Sequence, residues 1–418
     1  MLTEKLKKVH RLQGKLMSEH YQRALAAKSE GRPVAYATAM FPVEIVKAFE
    51  PDLATVYPEN HAALLIARGQ GQLVGRAEAA GLDRMGCAYE LYNTGYLLEG
   101  RGGQDVDPLT DKKGRPIPQL AEPDILLACD NQCRVICEWF KHLSEIYGNR
   151  PYKMINVGDR YDGSLEKDRL TYVRSQFEEL IAWLEAITGR SLDRDYLLEV
   201  AELSRRAVEL WKTYLDLGTI RPSPLTAFDG FSHMALVVSE RGTQQAIDYY
   251  ADLIEATSEL AGQGISAVGN ERHRLLWDNL ATWFNFRELQ EGFAKDGLAV
   301  VASTYLDAWR KKLDTTSYDS LLDSMAHTYA TMYTNMTIDE RVQTYLAMVA
   351  KYNADGVLFH KNLSCHTFSL RVDEIARRLE AHFGPQFRTV VFEGCQGISG
   401  RFQKHALETG VHVHFVER

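Results

Sequence analysis

No apolar run in this sequence approaches the ~20 residues that a membrane-spanning helix needs. Nor is there a Cys-x-x-Cys pair, which argues against a zinc ribbon and against a bacterial ferredoxin-type cluster. The glycine-rich stretches at 69–75 and 100–103 lack the G-x-x-x-x-G-K-[ST] pattern, so ATP hydrolysis is not expected of this chain. Basic residues are in the minority, 48 Lys and Arg against 56 Asp and Glu, giving a formal charge of −8. Such a surface is poorly suited to nucleic acid or to an anionic membrane, because both demand a cationic face. The opening stretch, MLTEKLKKVHRLQGKLMSEH, is charged and amphipathic and has no apolar core of a signal peptide, so a cytoplasmic protein is expected. Six cysteines in 418 residues are too few for a disulfide framework.

What is present reads as an α/β protein. The first 30 residues have the spacing of an amphipathic helix that ends before Gly31-Arg32-Pro33. Short β-rich runs at 34–37, 53–57, 124–128 and 152–157 then alternate with helical patterns at 43–49 and 62–80. Long helical stretches at 165–188 and 193–217 close at Arg221-Pro222-Ser223-Pro224, where two prolines forbid continuation. A second set of strands is expected at 273–277, 299–303, 356–360 and 389–393, with helices at 338–352 and 369–383. Strand–helix alternation of this kind implies parallel sheets. The expected architecture is two open, doubly wound parallel-sheet domains bridged by helices. The divisions fall at 1–30 for the N-terminal helix, 31–190 for the first α/β domain, 191–265 for a helical connector and 266–418 for the second α/β domain.

Ligands of open parallel sheets gather at the carboxyl ends of strands. Cys129 and Cys133 follow the run at 124–128, Cys365 follows 356–360, Cys395 follows 389–393, and Cys87 lies between two strands. Cys129, Cys133 and Cys137 are spaced i, i+4, i+8 and would share a face if helical, which a small-residue packing stripe explains as well as chemistry does. Cys137, among the bulky residues of ICEWF, reads as packing; Cys133 lies nearer a helix start, where exposed N–H groups favour a thiolate.

Six motifs occur in order: PENHAA (58–63), CAYELYNTGYLL (87–98), PDILLACDNQC (123–133), YVRSQF (172–177), RPSPLTAFDGFSHM (221–234) and NLSCH (362–366). Together they resemble the 2-hydroxyacyl-CoA dehydratase family, which includes the ATP-dependent benzoyl-CoA reductases. The similarity is greatest to the α-type dehydratase subunit and runs from about residue 32 to residue 402. It implies a [4Fe–4S] cluster held by only three thiolates, at the matching positions Cys87, Cys133 and Cys365, so that one iron stays open to substrate. It also implies a radical route from 2-hydroxyacyl-CoA to 2-enoyl-CoA, in which one electron added to the thioester gives a ketyl that expels the hydroxyl. The implied partners are a homologous second subunit and a separate ATP-hydrolysing iron–sulfur activator. Glu59, matching a carboxylate near the cluster, is the candidate for proton transfer, although its place also suits a plain helix-start carboxylate. Thr38, His366 and His61 are candidate helpers.

Ala37-Thr38-Ala39 stands where the family is Ser-rich, and the chain departs from the family pattern at three further places. Leu91 stands where the dehydratases carry an Arg, His366 stands in place of a basic residue after the third cysteine, and Cys395 stands where an Asp is expected. Cys395 is open to two readings, a fourth ligand that closes the site or a bystander thiol, and the bystander is the expectation. Arg272-His273-Arg274 with Trp277 and Trp283 reads either as a grip for the phosphates and adenine of CoA or as a solvated loop with packed aromatics. Two other functions stay open, an acyl-CoA reductase subunit and a non-catalytic electron carrier with a fully ligated cluster.

Overall fold

The computed structural model describes residues 3–50, 52–101, 107–158, 167–309 and 312–394. Cys395 and the segment after it lie outside the described residues. Among the described residues eight strands form two four-stranded sheets, and all the strand pairings in them are parallel. In the first sheet β1 (Val34–Ala37), β2 (Ala54–Val56), β3 (Ile125–Cys129) and β4 (Tyr152–Ile155) take the order β2-β1-β3-β4. In the second, β5 (His273–Asp278), β6 (Leu298–Ser303), β7 (Gly356–Asn362) and β8 (Arg388–Gly394) take the order β6-β5-β7-β8. Counted from its own first strand, each sheet therefore runs 2-1-3-4. This is the expected α/β class with two open, doubly wound parallel sheets.

Burial on both faces explains the composition of the strands. Ala35, Ala37, Leu127 and Cys129 face one apolar cluster, while their neighbours Val34, Tyr36, Leu126 and Ala128 face another. A strand covered on both sides reads as a continuous apolar run, and β3 is buried at all five positions. The cluster on the inner face continues into Leu275, Trp277 and Val300 of the second sheet, so the two sheets share a core.

Three helix expectations need correction. The helix foreseen at 62–80 is two, Pro58–Ala67 and Gln72–Ala79, because Gly69 between them adopts φ +72. The helix foreseen at 369–383 starts at Val372, after Arg371 turns left-handed, and a separate short turn, His366–Ser369, precedes it. The cysteine stripe does not exist either: Cys129 ends β3, Cys133 caps the helix Arg134–Ile146, and only Cys137 lies inside that helix.

Against the loop after β1 lies a charge pair fully removed from water. Glu44 and Arg241 are both 0% exposed, with Arg241 Nε 3.2 Å from Glu44 Oε1. The rest of the guanidinium donates to the carbonyls of Phe41, Val237 and Val238 at 3.0–3.2 Å and of Ala39 at 3.5 Å. The carboxylate also accepts from Ser204 Oγ and Tyr329 Oη, each at 2.7 Å. Removing one partner of such a pair strands a buried charge. We expect Arg241→Ala to cost about 3–5 kcal/mol of stability. Urea denaturation of the variant beside the parent protein checks this, and Arg241→Lys should recover only part of the loss because one ammonium cannot reach the same carbonyls.

Candidate functional site

In a sheet of order 2-1-3-4 the crevice opens between the first and third strands, where successive connections leave in opposite directions. Both sheets aim that crevice at one cavity. The loop after β1 contributes Ala39 and Met40, and the loop after β3 contributes Gln132 and Cys133. Leu280 after β5 and Ser364 and Cys365 after β7 complete it from the other side. Cys87, at the start of the helix Ala88–Tyr96, is the third cysteine in the lining of this cavity of about 80 Å³.

The three thiols share a local design. Each occupies the residue just before a helix or helical turn: Cys87 before Ala88–Tyr96, Cys133 before Arg134–Ile146 and Cys365 before His366–Ser369. Main-chain N–H groups of those first turns face the sulfurs, from Tyr89 and Glu90 to Cys87, from Ile136 to Cys133 and from Phe368 to Cys365. These donors favour a thiolate, but burial outweighs them. It pushes all three thiols up to about 12, and each is raised further by another member of the set. In the metal-free chain the three therefore stay protonated, and binding a metal has to displace their protons.

Among the described residues no three His, Cys, Asp or Glu side chains are gathered for a single metal ion. Three thiols spread around one cavity suit a group with several metals, whose ligands bind different atoms and need not converge on a point. The two other described cysteines are packing residues. Cys129 is buried in the inner core, and Cys137 is buried with its thiol directed at the Cys133 carbonyl, as its packing context implied.

The third thiol is positioned by the residues of its own motif. Asn362 Oδ1 accepts from the N–H and the hydroxyl of Ser364, at 3.0 and 2.8 Å, and the Asn362 carbonyl accepts from Cys365 N–H at 3.0 Å. Arg341 then clamps the following turn by donating to the Phe368 and Leu370 carbonyls, both at 3.0 Å.

Glu59 lies in the first turn of Pro58–Ala67, as a helix-start carboxylate would, yet its hydrogen bonds leave that helix. Oε2 accepts from the main-chain N–H of Ala39, and Oε1 accepts from Gln132 Nε2 at 2.9 Å. Gln132 in turn accepts from Met40 N–H at 3.2 Å, so one amide ties the loops after β1 and β3 to the carboxyl. Burial raises Glu59 to about 7, partly offset by those two donors. Its place is distinctive. Glu59, Ala39, Tyr89 and Tyr305 line the thiol cavity and also a second, far larger cleft of about 1040 Å³. The carboxyl thus stands where the two spaces meet.

The other candidates are placed differently. Thr38 is 0% exposed, and its hydroxyl has no hydrogen-bond partner among the described residues. His366 is exposed and is not part of the cavity lining. His61 is buried, held by the Pro118 carbonyl at 2.8 Å and packed edge-on to Tyr96, and burial lowers it to about 4. That is a neutral packing histidine. Leu91, in the place of the family's Arg, belongs to the outer core. The Arg272–Arg274 patch is neither grip nor solvated loop, because it opens β5: Arg274 is 1% exposed and donates to the carbonyls of Gly218 and Ile220, and Arg272 donates to the Asp296 carbonyl. Only Trp283 of that set reaches the large cleft, donating from Nε1 to Tyr89 Oη at 2.8 Å. Sequence reading missed Gln132, Tyr89 and Tyr305. The first two lie within the family motifs, whereas Tyr305 carries no local signal at all.

Because Glu59 holds its proton more tightly folded than unfolded, its contribution to stability is complete below pH 4.5 and is lost as pH rises through about 7. Burial also raises Glu90 to about 7, so infrared difference spectra of the metal-free chain should show protonated carboxyl intensity from both residues disappearing with a midpoint close to pH 7. Glu59→Gln should remove its own share of that band and leave the share of Glu90.

Comparison with known proteins agrees with this layout. The family described as "2-hydroxyglutaryl-CoA dehydratase, D-component" matches residues 38–394, which include all three thiols and every described strand except β1. The chain is 31% identical to the (R)-2-hydroxyisocaproyl-CoA dehydratase alpha subunit of Clostridioides difficile, over 95% of this chain and 92% of that subunit. It is 30% identical to the (R)-phenyllactyl-CoA dehydratase alpha subunit of Clostridium sporogenes, over 93% and 90%. A subunit of the benzoyl-CoA reductase of Thauera aromatica is 27% identical, over 94% and 90%.

Proposed function

The chain belongs to the 2-hydroxyglutaryl-CoA dehydratase D-component family, and from that membership we propose that it is the α-type subunit of a 2-hydroxyacyl-CoA dehydratase. It removes water from a 2-hydroxyacyl-CoA to give the 2-enoyl-CoA and works in the cytoplasm. The observation that carries this reading is the shared cavity of Cys87, Cys133 and Cys365 with a proton-exchanging carboxyl at its edge.

The donor set suits a [4Fe–4S] cluster. Three thiols line one cavity, N–H groups face each sulfur, and the buried Thr38 hydroxyl beside the Ala39 loop lacks a partner among the described residues. When bound, a cluster with three thiolates supplies an iron with an exchangeable position and a path for the single electron the thioester needs. The protein's own contribution is to place the group, exclude water and exchange protons. Cys87, Cys133 and Cys365 hold the group at the meeting point of the two crevices. Tyr333, Trp309 and Ile136 wall the cavity and keep water out.

Glu59 Oε takes the β-proton of the substrate. A carboxyl that titrates near 7 can both accept and release a proton at neutral pH, which an ordinary carboxylate does poorly. Gln132 and Ala39 aim it. The reaction returns its electron, so beside a homologous second subunit it needs an ATP-hydrolysing activator only to start and restart it. A second reading, reduction of an acyl-CoA, is favoured by the benzoyl-CoA reductase relative. It differs in consuming reductant in proportion to product.

Two outcomes follow. Changing Cys87, Cys133 or Cys365 to Ser should each remove the iron and the brown colour of anaerobically purified protein, while Cys137→Ser keeps both. Full iron in any of the three would refute the ligand set, and reductant consumed mole for mole would replace dehydration with reduction. Glu59→Gln should retain iron and substrate binding but lower turnover by about 10²-fold or more; near-normal turnover would leave Glu59 a helix-start residue only.

A further inference from the structure

The large cleft carries its own ruler. The helix Pro58–Ala67 forms one wall through Asn60, Ala63, Leu64 and Ala67, residues spaced so that they lie along one stripe. Glu59 begins that stripe and Arg68, the residue capping the helix, ends it. Nine residues at 1.5 Å each separate them by about 13 Å. One end of the cleft therefore meets the thiol cavity, and the other is marked by Arg68.

At the Arg68 end sits a turn built around one buried carboxylate. Asp111 is 7% exposed; Oδ1 accepts from the N–H groups of Lys113 and Arg115 at 2.8 and 3.0 Å. Oδ2 accepts from Arg68 Nη1 at 2.6 Å and from Arg115 Nε at 2.7 Å. Gly114 takes φ +71 to close the turn, and Asp111 N–H reaches the Arg115 carbonyl at 3.0 Å. This framework leaves Lys112 and Lys113 exposed and without an ion pair among the described residues, and both line the cleft. Four cations thus meet one anion at this end. Arg287 adds another positive charge to the cleft, next to Glu288. In a chain of net charge −8, so local an excess of positive charge is a directed feature.

We propose that the turn Asp111-Lys112-Lys113-Gly114-Arg115, with Arg68, anchors the nucleotide phosphates of the acyl carrier, so that the pantetheine arm lies along Pro58–Ala67 and delivers the thioester to Glu59. The inference rests on the acyl-CoA reading above. It moves the phosphate grip from the Arg272–Arg274 segment at the start of β5, whose arginines donate to carbonyls, to the turn that carries Lys112 and Lys113. Asp111 positions the two arginines, and Lys112 and Lys113 supply the unpaired charge. The pairing of cations with phosphates is charge-assisted and geometrically undemanding for lysine.

Calorimetry of the full chain with coenzyme A and with pantetheine tests it. The double variant Lys112→Glu/Lys113→Glu should weaken coenzyme A binding by about tenfold or more, equivalent to ~1.4 kcal/mol. It should also flatten the salt dependence of that binding, while pantetheine, which has no phosphate on a nucleotide, binds variant and parent alike. The milder Lys112→Ala/Lys113→Ala should shift coenzyme A affinity in the same direction by a smaller factor. Equal coenzyme A affinity and salt dependence in parent and variants would overturn the anchor and leave the dehydratase reading standing. A parent chain that binds no coenzyme A would overturn both.

Discussion

A guanidinium withdrawn from water between Glu44 and four main-chain carbonyls decides where the loop after β1 can run. Arg241 reaches Ala39 and Phe41 on that loop and Val237 and Val238 on the helical segment that carries it. Tyr329 brings a further helix to the same place, bonding both the Phe41 carbonyl and Glu44. The pair is expensive to bury, and its Coulombic attraction alone is not a reason to keep it. What it accomplishes is placement. With the guanidinium and the carboxylate both held from several sides, the loop has one low-energy path.

That path determines the chemistry of Glu59. The Ala39 N–H projects from the loop onto one carboxyl oxygen, and Gln132, bonded to Met40 on the same loop, holds the other. Burial alone would drive the carboxyl toward permanent protonation, and free donors alone toward permanent ionisation. Burial outweighs the donors but is partly offset by them, which leaves the carboxyl close to 7, where a proton can move in either direction. Gln132 also immediately precedes Cys133, so the residue that aims the acid is covalently tied to a thiol of the cavity.

The repeated 2-1-3-4 order gives the site an incomplete symmetry. Cys133 after β3 and Cys365 after β7 occupy equivalent places in the two sheets, each just before a helical turn. Cys87 has no counterpart of that kind among the described residues; it comes from the start of the helix Ala88–Tyr96, which packs into the core of the first half. The cavity therefore draws its thiols from three separate segments. Tyr89, Tyr305, Ala39 and Glu59 line both the cavity and the large cleft.

Much of this was readable from the chain itself. β1 and the helix Ile338–Tyr352 lie at the expected residues, because apolar runs and caps are local signals. The other strands deviate by up to two residues at an end. The six motifs pointed to the family, and with it to Cys87, Cys133, Cys365 and Glu59. The breaks after Ala67 and before Val372 depended on single left-handed residues, Gly69 and Arg371, that hydrophobic spacing does not register. Sequence could not tell that Arg274 spends its charge on carbonyls, that His366 faces solvent, or that Tyr305 joins Glu59 at the junction. Those outcomes depend on which surfaces meet between segments far apart in the chain. Local pattern determines what each segment prefers to be. Only packing decides which charges are satisfied internally and which, like Lys112 and Lys113, are left for a ligand.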